Sequence, residues 1–307
     1  MTAAVTTAPA TTTRGAGKTS RRRSAVWLGL TPFAIYVLLF LAIPAVLAVG
    51  SGFFSSAGAF TFANFSALAD PVITGDLVAT IVLSLVTAVI GAIIGAIICF
   101  ALLGTRPDGW LRTTIDSASS VLAQFGGVML AFAFVATIGQ QGFITTWLVS
   151  TFGWTDNPFV IFDNNGPLLY QVIGLTIPYL YFQIPLMVIV FMPAMEGLKA
   201  TWGEANATLG GTRFTYWTRI AFPILAPAFF GSVILLFANA FSSYATAAAL
   251  ISQGGILPLD IKSSLTSETV IGRANQAGVL ALAMVVVMIV VMVVYSALDK
   301  RASRWRS

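Results

Sequence analysis

Residues 274–298 read ANQAGVLALAMVVVMIVVMVVYSAL, a stretch with no Asp, Glu, Lys or Arg. A helix needs about 20 apolar residues to cross a bilayer. The run from Val285 to Val294 does not alternate in polarity, so it does not read as a barrel strand. Backbone groups in lipid must pair internally, which leaves the helix as the form of this segment. Five more charge-free stretches lie at 24–69, 77–105, 117–155, 164–195 and 220–259. Each holds one crossing, and none comfortably holds two. Spans are expected near 27–50, 77–103, 119–138, 168–193, 226–251 and 277–298. The expected fold class is therefore all-α, a polytopic membrane protein with six transmembrane helices.

Composition agrees. Of 307 residues, 57% are hydrophobic and 9% charged, against about 25% charged in an ordinary soluble domain. So little charge excludes a cytosolic enzyme, a disordered chain and a nucleic-acid-binding domain. There is no histidine, which removes His-based triads, metal sites and proton relays. The single cysteine, Cys99, permits no intrachain disulfide and no cysteine metal cluster. It is expected as a small buried apolar residue. No catalytic, cofactor or metal site is expected. Gly17-Lys18-Thr19 looks like the end of a phosphate-binding loop, but Thr12 stands where that pattern needs glycine. ATP binding by this chain is not expected.

Sidedness follows from the basic residues. Of the 16 Lys and Arg, only Lys262 and Arg273 fall in the fifth connection; the others lie in the two tails and in the second and fourth connections. Basic loops stay in the cytoplasm, so both termini are expected there. The same bias accounts for the net charge of +5 without a nucleic-acid partner. The layout reads as a disordered basic tail at 1–25, a six-helix domain at 26–298 with a cytoplasmic loop at 196–223, and a basic tail at 299–307.

The fourth connection carries the motif. Trp202, Ala205 and Leu209 share one side of a helix. Gly210 and Gly211 then break it, since glycine costs about 1 kcal/mol in a helix interior and readily takes positive φ. Phe214, Trp217 and Ile220 suggest a second short helix before Pro223. A helix, a glycine corner and another helix form a knob on one membrane face.

With Glu204-Ala205-Asn206, Gly210 and Ile220-Ala221-Phe222-Pro223 in place, this loop resembles the EAA loop of permease subunits in binding-protein-dependent ABC importers. Asn206 departs from the family's second alanine. The resemblance implies that the loop docks on a separate ATP-hydrolysing subunit, with Glu204 in contact, Ala205 on the docking helix, and Gly210 and Gly211 at the corner. Arg213 and Arg219 either add basic contacts or only satisfy the positive-inside bias, and Pro223 marks the entry to span five. ATP is then used by the partner subunit and not by this chain. The resemblance also implies a second, homologous or identical permease, two ATP-binding subunits and an extracytoplasmic solute-binding protein, in a bacterial cell membrane. The Leu209–Thr212 and Ile220–Pro223 phrases are similar to permeases of the polyamine, iron, sulfate and thiamine branch, and the segment Leu257–Ile261 and the tail from Asp299 to Trp305 are similar to polyamine-type permeases. A spermidine- or putrescine-like solute, or another small charged one, is the implied cargo.

Uncharged polar residues within the spans are candidates for the pathway, because polar groups at membrane depth face other helices or water. They are Gln124 in span three, Tyr179 and Gln183 in span four, and Asn239, Ser242, Ser243 and Tyr244 in span five. Packing alone is the alternative for each. An ion-coupled secondary carrier usually needs an ionisable group deep in a span, and none is expected here. A non-transporting scaffold leaves the loop motif without a purpose.

Overall fold

The computed structural model describes residues 30–106, 108–153, 168–251, 254–267 and 272–303, with side chains described to residue 297. The expected tail at 1–25, the residues Trp154 and Phe159 of the third connection, and the last residues of the tail at 299–307 lie outside these. Six helical segments are long and apolar enough to cross a membrane. Among the described residues no strand forms; one isolated bridge joins Phe54 and Phe60.

The first unit, residues 1–49, contributes most of span one (Leu30–Ser51), whose side chains are exposed. A π-turn at Leu38–Ala42 ends where Ile43 N–H bonds to Leu38 C=O, and Pro44 follows. The second unit, residues 50–307, holds everything else. Its span five entry repeats the device: a π-turn at Trp217–Ala221, Phe222 N–H bonded to Trp217 C=O, then Pro223. Proline brings no N–H and its ring crowds the preceding turn. Widening that turn by one residue keeps the helix going.

Span two runs from Pro71 to Leu103 and starts earlier than the charge gap suggested. Asp70 caps it, its Oδ1 accepting from Val72 N–H at 2.9 Å, with Pro71 in the first turn. Asp76 therefore lies inside the helix. Span four, Thr176–Glu196, runs parallel to span two and through Pro185 and Pro193 without interruption. The two meet at small residues. A methyl on Gly91 would lie 3.1 Å from Gln183 Cβ, and one on Gly95 2.5 Å from Met187 Cβ. Only glycine permits this approach.

Span three departs from the expected 119–138. A helix at Trp110–Gln124 stops, a second occupies Gly127–Ile138, and a third follows at Phe143–Phe152. The stretch apolar enough to cross runs 127–152. The stop is chemical: Gly127 takes φ +74°, which a helix-forming residue does not favour. Span five breaks as well, into Phe222–Phe241 and Ala245–Leu250. A short helix, Leu257–Leu265, precedes span six, Arg273–Ser303. Span six thus runs on into the first residues of the expected tail at 299–307. Two buried clusters fill the second unit: one around Leu130, Tyr179, Ala247 and Ile256, the other around Cys99, Met187, Met192 and Leu225.

Candidate functional site

The fourth connection folds as a helix, a corner and a helix. Ala200–Thr208 is followed by Gly210 at φ +75° and by Arg213–Tyr216. The first helix buries none of its residues, and Glu204 and Ala205 are both exposed. So are Gly210, Arg213 and Pro223, while Gly211 is half-buried. Leu209 and Phe214 stand out from the same knob, 88% and 77% exposed. Both apolar side chains thus lie on the exposed surface of the knob.

Asn206, the departure from the family pattern, holds the corner. Its Nδ2 donates to Thr212 C=O at 3.1 Å, and its backbone C=O accepts from Gly211 N–H at 2.8 Å. Any Cβ at Gly211 would collide with the Asn206 side chain. Thr212 then caps the second helix, its Oγ1 accepting from Thr215 N–H at 3.3 Å. The sequence did carry a signal: a short amide five residues before the second glycine.

The knob is rooted in the bundle at both ends. Leu198 at its start and Trp217 at its exit pack on the Cys99–Met192 cluster. The Trp217 ring meets Phe100 of span two edge-on, 4.9 Å between centroids. Glu196, the last residue of span four, accepts from Arg112 Nη2. Arg112 is only 8% exposed, and its Nε lies 3.5 Å from Asp116 Oδ2. In the sequence Arg112 counted only among the basic residues of the second connection, and Glu196 only as the end of the charge gap 164–195.

The broken helices of spans three and five meet at Gly127 and Thr246. Gly127 N–H donates to Thr246 Oγ1 at 3.0 Å, and the same hydroxyl lies 3.3 Å from Gly127 C=O. Tyr179 OH donates to Ser243 C=O at 3.0 Å. Ser242 Oγ turns back to Ala238 C=O at 2.9 Å. The carbonyls that each break would leave unpaired are thereby partly satisfied, as membrane depth requires.

The pathway candidates divide. Gln124, Asn239, Ser242 and Tyr244 are exposed on this chain, and Ser243 is half-buried. Tyr179 and Gln183 are buried, at 1% and 0% exposure. Gln183 Nε2 donates to Thr87 Oγ1 at 2.8 Å, so it ties spans four and two together inside the bundle. The exposed group gathers at the two breaks. Thr246, unremarked in the sequence because it follows the polar run, is the residue that joins them.

The opposite end carries a second polar cluster. Asp76 Oδ2 accepts from Gly255 N–H at 2.9 Å, and Thr80 Oγ1 accepts from Leu257 N–H at 2.9 Å. These bonds dock the Leu257–Leu265 helix on span two. Asp260 of that helix lines a cavity of about 400 Å³ with Asp70, Ser264, Arg273 and Gln276. Burial, then the charge of Asp76 and a hydrogen bond with it, push the Asp260 carboxyl up to about 7; Arg273 opposes this.

No family model matches the chain. Among proteins of described function, it is 21% identical over 204 residues to a probable sulfate transport system permease protein, cysT, of Prototheca wickerhamii. The match spans 55% of this chain and 79% of that protein. Two solved structures superpose closely. One is a bacterial alginate ABC transporter in complex with an alginate-loaded periplasmic protein: TM-score 0.70, 15% identity, 92% of this chain and 96% of that one. The other is the inward-facing MetNI methionine ABC transporter: TM-score 0.55, 12% identity, 75% of this chain and 96% of that one. The chain has the fold of an ABC importer permease. In this permease fold the exposed knob joins spans four and five, and the crossed breaks lie between it and the Asp76–Asp260 end. None of these similar proteins is named for a polyamine.

Proposed function

We propose that this chain is the membrane-spanning permease of an ABC importer, forming half of a solute pathway and driven by a separate ATPase through the knob at 196–223. The observation that carries the reading is the knob itself. It exposes Glu204, Leu209 and Phe214, is stiffened by Asn206, and is anchored to the bundle at Leu198 and Trp217. A loop with no outside partner has no reason to combine exposed apolar groups with so firm a base. ATP is hydrolysed on the partner, and the knob faces the cytoplasm with the basic loops. A second permease, two ATP-binding subunits and an external binding protein complete the assembly in a bacterial cell membrane.

The cargo is a small charged solute. The alginate transporter similar to this chain imports an acidic polysaccharide, and the cysT protein is named for sulfate. The exposed groups at the crossed breaks are hydroxyls and amides, from Gln124, Asn239, Ser242 and Tyr244, which suit an oxyanion at least as well as a cation. For polyamine cargo the remaining support is the sequence resemblance of the loop and tail. The deciding experiment reconstitutes the chain with its ATPase and reverses the charge at Glu204. Solute-stimulated ATP hydrolysis should fall while membrane insertion and the exposed helix persist. Full stimulation in Glu204→Lys would remove the knob from the coupling role.

A further inference from the structure

Resting on that importer reading, we infer that the helix Trp110–Gln124 is a push-rod, with Arg112 as the positioning residue that links it to the knob. Three observations on one line carry this. Arg112 sits in the first turn of the helix and donates to Glu196, four residues before the knob's first helix begins at Ala200. The helix packs along span four, where Ile115 joins the same cluster as Leu198. Its far end stops at the Phe125–Gly127 break, where Gly127 is bonded to Thr246. Fifteen residues of helix span about 22 Å at 1.5 Å per residue. Fifteen helical residues without a break carry a displacement as one element, and the break beyond them is tied to span five through Thr246.

The charge arrangement favours transmission over simple packing. Arg112 is buried, while its partners Glu196 and Asp116 keep 48% and 47% of their side-chain surface exposed. Pulling Glu196 away leaves this buried guanidinium only Asp116, at 3.5 Å, to offset its charge, so separating the pair is costly. Asp116 lies on the same helix as Arg112 and holds nothing across a gap. Among the described residues, Glu196 is the charged partner that ties the rod to the start of the knob, beside the packing of Ile115 and Leu198 in one cluster. When the knob is displaced, Glu196 carries Arg112 with it, and the rod passes that displacement to the Gly127–Thr246 crossing. Spans three and five then move together at the break.

The test uses the full assembly, with this chain in a Cys99→Ala background and a reporter thiol introduced by Val128→Cys. Val128 is 47% exposed and begins the helix just past the break. The labelling rate of that thiol by a maleimide is measured with and without trapped nucleotide. The parent should show a nucleotide-dependent difference. Arg112→Gln and Glu196→Gln should each abolish it while the ATPase still co-purifies, and the double variant should be no worse than either single one. Asp116→Asn should preserve the difference. Retention in Arg112→Gln, or an equal loss in Asp116→Asn, overturns the push-rod. A parent with no nucleotide-dependent difference, or one that binds no ATPase, overturns the importer reading and the push-rod together.

Discussion

Gly127 and Thr246 stand 119 residues apart in the chain, yet the backbone N–H of one donates to the hydroxyl of the other at 3.0 Å. The same hydroxyl lies 3.3 Å from the Gly127 carbonyl, and Thr246 is 1% exposed. One buried side chain thus serves both backbone groups of Gly127 at a helix break.

Thr246→Val keeps the shape and deletes the hydroxyl. A buried N–H left without a partner costs about 1–3 kcal/mol. The variant should melt earlier in detergent and lose uptake in cells, and Thr246→Ser should recover both. A valine variant as stable and active as the parent would show that the crossing is not held by this bond.

The two kinds of polar span residue should separate by assay. Gln183 is fully buried, and its Oε1 has no hydrogen-bond partner. Gln183→Leu removes that stranded acceptor, and the Thr87 hydroxyl keeps its bond to Leu83 C=O at 2.8 Å. Stability should change by less than about 1.5 kcal/mol, whereas Gln183→Glu, which buries a carboxylate, should unfold the bundle. Asn239→Ala lies on an exposed face. It should leave the melting curve in place, within about 0.5 kcal/mol, and alter solute-stimulated ATP hydrolysis. The reverse pattern would exchange their roles.

The contact of spans two and four depends on the absence of one methyl group. Gly95→Val should destabilise by about 1–3 kcal/mol through overpacking against Met187, because the added carbon begins 2.5 Å from Met187 Cβ. Gly75 has open space at the same position. Gly75→Ala should be neutral or stabilise by up to about 1 kcal/mol. Detergent unfolding of both variants, side by side, checks the contrast.

Asp260 predicts a pH dependence of definite sign. Its carboxyl is raised from 3.8 to about 7, by burial first and by Asp76 second. A raised acid holds its proton in the fold longer than in the unfolded chain. Its contribution is therefore full below pH 4, declines as pH rises through 7, and is spent above that. Asp76, Asp70 and Arg273 are the charged groups that shape this titration from span two, its cap and span six. Protection of the Leu257–Leu265 amides, after correction for the intrinsic base-catalysed exchange rate, should fall between about pH 4 and 7, and Asp260→Asn should flatten the corrected profile. An unchanged slope in Asp260→Asn would place the titration elsewhere.

Counting charges along the chain was enough to find six crossings, because lipid excludes charge wherever it occurs and needs no knowledge of the fold. The glycine corner was also legible, since positive φ at Gly210 is a property of the residue itself. So was the exposure of Glu204, which sits on a helix with polar surroundings. The helix breaks were not legible from hydropathy. Gly126-Gly127 and Ser242-Ser243 lie within charge-free stretches that read as continuous spans, and a break becomes tolerable when a distant group such as Thr246 or Tyr179 pairs the freed backbone. Arg112 and Glu196 read alone as ordinary loop charges, and Asn206 as a blemish in a motif. Which of the polar residues would be buried, as Gln183 is, and which left on a free face, as Asn239 is, was decided by how the helices rotate against one another. That rotation is set by close contacts such as Gly95 on Met187, and these exist only once distant parts of the chain have come together.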